Sequence, residues 1–300
     1  MIRIAWSELY NHPLPAGHRF PMEKYTLLPE QLIYEGTISE SQLFCPAEMH
    51  ERELLMVHDI EYWQKLRNLS LSYSEIRKTG FPLSEAFIKR ELTIMQGTLD
   101  AARFALVNGI AFNIAGGTHH AFSNRGEGFC LLNDLAIAAK QLINEQLVKK
   151  ALIVDLDVHQ GNGTAEIFKD DSDVFTFSMH GASNYPLHKE KSDLDIALRD
   201  GTGDNEYLSI LDLNLKRIID EFMPDMIFYQ SGVDVLKQDK LGRLNLSIDG
   251  CMMRDKLVLE YARVNQIPMV AAMGGGYSVD IKHIVEAHAN TYRLAMQIFS

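Results

Sequence analysis

Three hundred residues with 46% hydrophobic content bury roughly three quarters of the unfolded chain's surface on folding, so one domain over residues 1–300 is expected and a disordered or collagen-like chain is excluded. With 29 basic against 40 acidic residues, the formal net charge of -11 disfavours any broad grip on nucleic acid phosphates and favours a basic ligand or peptide. Cys45, Cys130 and Cys251 are odd in number and widely spaced, which speaks against a disulfide framework or a cysteine zinc cluster and for a reducing compartment, with a cytoplasmic location expected.

From Met1 to Tyr10 no apolar stretch follows a basic start, and no run of 18 apolar residues occurs anywhere, so neither an export signal nor a membrane span is predicted. The first 80 residues are mixed, and Asn11 to His18, rich in Pro and Gly, forms a loop. Apolar residues at three- and four-residue steps predict a helix over Ser84–Asn108, followed by a short strand Ile110–Ile114. Helix-like Asn133–Asn144 precedes strands Ala151–Asp157 and Val174–Met179. A helix over Leu208–Phe222 then leads to strands Met226–Gln230 and Met269–Met273. Short apolar runs alternating with longer helices imply an α/β fold, a single open and mostly parallel sheet with helices on both faces. Ligands of such sheets bind beyond the carboxyl ends of the strands. The loops there hold the unusual residues: Gly116–His120, Asp155–Gly163, His180–Tyr185, Ser231–Asp234 and Gly274–Tyr277.

Gly116-Gly-Thr-His119-His120 lets two imidazoles project together, and imidazole suits proton transfer near neutral pH. Cys130, in a Phe-Cys-Leu-Leu run, is expected to be a buried hydrophobe, and no G-x-S-x-G elbow is present. In Asp155-Leu-Asp157-Val-His159, strand alternation would align three potential ligands. A carboxylate and an imidazole two residues apart suit Zn²⁺, and Asp155, deeper in the strand, is better placed to support than to ligate. The same aspartates match the start of a calcium loop, but Gln160 stands where that loop needs Gly, and a buried strand replaces the helix. Alone, the motif leaves open a metal site and strand-end carboxylates that cap a helix. Asp234, just past a strand, is a third ligand or another N-cap. Tyr277, after three glycines, is an oxyanion donor on a flexible hinge or a packed aromatic.

Together these segments resemble the histone deacetylase superfamily, especially its class IV branch. The resemblance spans nearly the whole chain. It is carried by His18-Arg-Phe-Pro21, Leu55-Met-Val-His58, Gly116 to Ala121, Arg125 to Cys130 with Asn133-Asp134, Asp155 to Thr164, Gly232-Val-Asp234 through Asp239-Lys-Leu-Gly242, and Gly274 to Tyr277. It implies an arginase- and deacetylase-like fold and hydrolysis of acyl-lysine on a protein or peptide, or of a small acylated amine; from the charge and the lack of apolar spans, neither nucleic acid nor membrane is expected as a partner. One catalytic zinc would be held by Asp157, His159 and Asp234. His119 and His120 would handle protons, and Tyr277 would polarise the scissile carbonyl. Gly128 and Phe129, with Tyr185 opposite, would line a narrow tunnel. A structural K⁺ would sit on Asp155, Ser178 and the backbone carbonyls of Asp157 and His159. The class IV likeness makes a long acyl chain a plausible substrate.

One departure is Asn162, standing where many members offer His120 an aspartate. An amide stabilises imidazolium less than a carboxylate does, so His120 should be the more readily neutral base, while His119, beside Asp155, holds its proton more firmly. Two rivals stay open: a catalytically idle acyl-lysine reader, and an arginase-like two-metal hydrolase.

Overall fold

The computed structural model describes residues 1–299. Among them, eight strands form one sheet: β1 (Arg3–Ala5), β2 (Leu43–Phe44), β3 (Ile110–Asn113), β4 (Ala151–Asp155), β5 (Val174–Gly181), β6 (Leu194–Leu198), β7 (Met226–Gln230) and β8 (Met269–Ala272). Their order is β2-β1-β3-β8-β7-β4-β5-β6, and every neighbouring pair is parallel. The helices are α1 (Lys24–Tyr34), α2 (Glu51–Leu54), α3 (Ile60–Arg67), α4 (Tyr73–Thr79), α5 (Glu85–Asn108), α6 (Asp134–Asn144), α7 (Asn162–Phe168), α8 (Asp204–Phe222), α9 (Ile248–Val264) and α10 (Ile281–Phe299).

The central strands β3, β4, β7 and β8 are buried at every residue. A strand with no wet side must be covered on both faces, which is why these runs are continuously apolar instead of alternating. Helix α5 lies along β1, β3 and β8 with α6 beside it, while α1, α10, α9 and α8 pack in succession. Local chemistry sets the helix starts. The Ser84 side chain accepts from Phe87 N to open α5, Asn133 accepts from Ala136 N to open α6, and Ser247 accepts from Gly250 N to open α9.

Sheet order also fixes where a ligand belongs. From β4 the chain winds outward through β5 and β6; from β7 it winds the other way to β8. The crevice between the carboxyl ends of β4 and β7 is therefore the topological switch point. The segments that leave those two ends are Leu156–His159 and Ser231–Asp234.

The predicted strand Ala151–Asp157 is too long. β4 stops at Asp155, so strand alternation does not align Asp155, Asp157 and His159. Two successive side-chain turns do so instead: Asp155 Oδ1 accepts from Asp157 N at 3.1 Å, and Asp157 Oδ1 accepts from His159 N at 3.0 Å.

Candidate active site

Each loop at the switch point is held by a buried polar anchor. Asp134, the first residue of α6, accepts from Thr118 N (2.9 Å) and Thr118 Oγ1 (2.8 Å) through one oxygen and from Thr98 Oγ1 (2.7 Å) through the other, fixing the segment that carries His119 and His120. Arg254, fully buried on α9, donates to Leu156 O at 3.2 Å and Gly232 O at 2.5 Å. Its charge is met by Asp255 at 2.7 Å, which also accepts from Tyr229 and Thr291. One guanidinium thus ties the Asp157 loop to the Asp234 loop.

Gly274–Tyr277 is pinned as well, in contrast to the flexible hinge expected. Gly275 N donates to Asp157 Oδ2 at 2.9 Å, Tyr277 N donates to Asp239 Oδ2 at 2.6 Å, and buried Lys24 donates to Gly274 O at 3.0 Å. Only glycine fits at 275, because a Cβ there would lie 2.6 Å from Asp157 Oδ2 and closer still to Asp234 Oδ2. Lys24 and Arg254 were not anticipated from sequence; Asp239 and Glu127 lie in segments that carry the resemblance, but neither was given a role there.

Asp157, His159 and Asp234 come together as a buried group whose ligand atoms lie within 4.8 Å of one another. His159 Nδ1 is 3.0 Å from Asp157 Oδ1 and 3.1 Å from Asp234 Oδ2. Two carboxylates this close and dry demand positive charge. Burial and then the Asp157 charge push Asp234 up to about 7. His159 is opposed by burial, but its two carboxylate partners raise it to about 10. Asp234 Oδ2 accepts no hydrogen bond among the described residues. A divalent cation on Nδ1 and the two carboxylates would satisfy all three groups, and one nitrogen with two oxygens suits zinc.

The adjacent imidazoles lie 4.1 Å apart between centroids, tilted at 44° to each other, yet have opposite partners. His119 Nδ1 is 2.7 Å from Asp155 Oδ2. Burial works against its cation, but Asp155 and Asp157 outweigh burial and raise its pKa. His120 Nδ1 is 2.7 Å from Asn162 Oδ1. Burial first, then the neighbouring His119 and His159, lower it well below the ordinary imidazole value. The Asn162 amide is oriented from its far side, where Nδ2 donates to Glu127 Oε1 at 3.1 Å. Because the carboxylate accepts, the amide must present its oxygen to His120, so Nδ1 of that ring carries the proton and Nε2 offers a lone pair.

His120, His159, Tyr277, Gly128, Phe129 and Tyr185 line one pocket of about 490 Å³ that opens to solvent. Gly128 and Phe129 both take positive φ (59° and 66°), and a Cβ on Gly128 would lie 2.6 Å from the His120 ring. The Tyr185 ring meets His120 edge-on at 5.0 Å, and Phe129 and Tyr277 stand 5.8 Å apart. Beyond the metal group lies a smaller space of about 40 Å³, floored in part by the buried Arg90–Glu91 ion pair and Ile94. Asp155 and Ser178 are register partners on β4 and β5, and Ser178 Oγ is 2.9 Å from His180 Nδ1. Cys130 is buried, in keeping with a packed hydrophobe. No helix among the described residues is long and apolar enough to cross a membrane.

Comparison with known proteins gives a concordant picture. A family model for the histone deacetylase domain matches residues 18–292. The chain is 42% identical over 290 residues, 97% of each chain, to an uncharacterized protein of Picosynechococcus sp.. It is 31% identical to histone deacetylase 2 of Arabidopsis thaliana, over 87% of this chain and 70% of that one. It is also 30% identical to the acetoin utilization protein AcuC of Staphylococcus aureus, over 77% and 65%. Among solved structures, an HDAC homolog complexed with SAHA superposes with a TM-score of 0.86 at 26% identity, covering 99% of this chain and 84% of that one. An HDAC homolog from Aquifex aeolicus gives 0.84 at 25%, covering 98% and 84%.

Proposed function

The chain belongs to the histone deacetylase family, and from that premise we propose that residues 1–300 form one zinc-dependent lysine deacylase unit. The observation that carries this reading is a buried Asp157–His159–Asp234 group beside two oppositely biased imidazoles and Tyr277, where His120, His159 and Tyr277 line both the open pocket and the small inner space, and His119 and Asp157 line the inner one. A zinc ion held by those three residues would supply Lewis acidity at the acyl carbonyl and at the attacking water. Gly128, Phe129 and Tyr185 confine the lysine stem.

His120 Nε2 takes a proton from the water as its oxygen bonds to the carbonyl carbon. Tyr277 is held as a phenol by burial and by the charges of Asp157 and Asp234, and its hydroxyl donates to the developing oxyanion. When the carbon–nitrogen bond breaks, His119 gives its proton to the departing amine. The acyl group leaves as its carboxylic acid, which ionises by giving its proton to the freed lysine amine, and the proton taken up by His120 is returned to His119, restoring the pair. The Gln160-Gly-Asn162 arrangement supports placement in the class IV branch, and the Asp155–Ser178 pairing supports a K⁺ site there.

The inner space favours a short acyl group. About 40 Å³ holds roughly three waters, which accommodates an acetyl methyl, whereas a long chain would have to displace the Arg90–Glu91 pair. Zinc-loaded protein is expected to bind one zinc per chain and to release acetate from acetyl-lysine peptides, with little release of myristate. Chelation should abolish turnover. Two manganese ions per chain would support the arginase-like rival, zinc without turnover on peptides or acetylpolyamines would support the idle reader, and turnover on acetylpolyamines alone would move the substrate to small amines.

The amide partner of His120 makes a second expectation. A base works when neutral, so its activity is lost as pH falls through its pKa. Asn162→Asp places a carboxylate on the imidazolium, raises that pKa and moves the acid limb of the kcat/KM profile to higher pH. An acid limb unmoved in a pH titration of the variant would count against His120 as the group that sets it.

A further inference from the structure

The mouth of the pocket has the opposite charge to the chain as a whole. The protein carries -11, yet Arg19, Arg77, Lys78 and Arg243 line the opening, all exposed, against one carboxylate, Glu127. That carboxylate is turned inward and occupied: its side chain is only 17% exposed, lies 3.9 Å from Arg125, and accepts from Asn162 at 3.1 Å. The cations are much less engaged. Arg243 meets Asp200 at 3.4 Å with both side chains well exposed (60% and 46%), a pair that water and salt weaken. The Arg19 and Arg77 guanidinium groups lie over the Phe129 and Tyr73 rings at 5.8 and 6.0 Å, contacts that position them and leave their N–H groups free. Among the described residues no carboxylate comes within 4 Å of Arg19, Arg77 or Lys78.

The placement of these groups is fixed relative to the tunnel. Gly128 N donates to Lys78 O and Phe129 N donates to Thr79 O, both at 2.9 Å, so the end of α4 is clamped to the tunnel wall and carries Arg77 and Lys78 with it. Basic residues in the last turn of a helix also complement its dipole, which accounts for those two. It accounts for neither Arg19, on the loop before α1, nor Arg243, on the loop after Asp234. Three separate segments thus bring positive charge to one opening.

We infer that the mouth selects acyl-lysines flanked by carboxylates, in acidic stretches of a protein, and disfavours the basic sequences that the net charge alone would attract. The inference rests on the deacylase reading of the pocket. The acyl-lysine stem fills the tunnel, and residues on either side of it must lie across the rim, where acidic side chains meet the four cations and basic ones are repelled.

The test uses three acetyl-lysine peptides that differ only in two flanking residues on each side: glutamate, alanine or lysine. At low salt kcat/KM is expected to fall in that order. Two or three exposed ion pairs give a glutamate-to-lysine ratio of about tenfold or more. The ratio should collapse toward one near 1 M salt, where the screening length shrinks to about 3 Å. In the double variant Arg77→Glu with Lys78→Glu, each rate is normalised to that on blocked acetyl-lysine without flanks, and the ratio should fall several-fold or invert.

A wild-type ratio at or below one, a ratio indifferent to salt, or one unchanged in the variant overturns the inference. Binding of fluorescently labelled versions of the peptides, followed by anisotropy, separates this failure from failure of the deacylase reading. If no peptide is hydrolysed but the glutamate peptide still binds tightest, the mouth assignment stands without the activity; equal binding removes it. Displacement of the glutamate peptide by equimolar single-stranded DNA would assign the surface to nucleic acid and overturn the peptide reading.

Discussion

Replacing His120 by Ala in protein that retains its metal is expected to lower kcat about 10²- to 10⁴-fold, the usual worth of a positioned general base. The expectation rests on the chain of hydrogen bonds behind the ring. Glu127 orients the Asn162 amide, the amide oxygen holds the Nδ1 proton, and Nε2 is left to accept. Burial and the charges of His119 and His159 keep this imidazole neutral at pH values where an ordinary one is largely cationic, so it is ready as a base at neutral pH. His119 is the converse: Asp155 raises it, so it enters the reaction with its proton. The Ala variant should keep its KM and its metal content, because His120 is not among the three metal-facing groups, and lose the acid limb of its pH profile. Turnover within a few-fold of the parent, with metal content confirmed on the same sample, would remove His120 from the base role.

How much of this site was legible in the sequence follows from distance along the chain. Asp157 and His159 stand two residues apart, so their pairing is a local property and could be anticipated, although the mechanism that aligns them is a pair of side-chain turns and not strand pleating. The central strands were legible because burial on both faces makes them continuously apolar. The edge strands were not: β1 and β2 have three and two residues, and β6, only partly buried, carries Asp195 as its second residue, so none has enough apolar run to register. Lys24 and Arg254 were invisible for another reason. No local pattern marks a cation for burial. Lys24 is buried because the carbonyl of Gly274, 250 residues away, receives it, and Arg254 because Leu156, 98 residues away, does. Asp234 lay between: its position past a strand was plain, but whether it capped a helix or faced a metal depended on sheet order, which sets β7 beside β4.

The basic mouth was likewise hidden by a whole-chain quantity. Net charge averages over the surface, whereas a flanking residue of a bound peptide senses only charges within about a Debye length, roughly 10 Å at 0.1 M salt. Arg19, Arg77, Lys78 and Arg243 come from three distant segments, so a charge of -11 carried no information about them.

Tyr277→Phe should cost about 10²- to 10³-fold in kcat, the effect of deleting one oxyanion donor, with KM changed little. The substitution removes a single oxygen and leaves the packing intact. The ring sits edge-on to Phe20 at 6.0 Å and to His159 at 6.4 Å, and beside Phe129, contacts that phenylalanine reproduces. The backbone bond to Asp239 and the Lys24 anchor on Gly274 are also untouched. Folding stability and metal affinity are therefore expected to match the parent, which isolates the hydroxyl. The two roles left open for this residue separate here: a packed aromatic predicts an unchanged rate in the phenylalanine variant, and an oxyanion donor predicts the loss. Because the hydroxyl is kept protonated by burial and two nearby carboxylates, its contribution should persist through the neutral and mildly alkaline range, so the ratio of parent to variant should stay flat there. A ratio that decayed on the alkaline side would mean that Tyr277 loses its proton in the working range, and the donor role would then have to pass to another group.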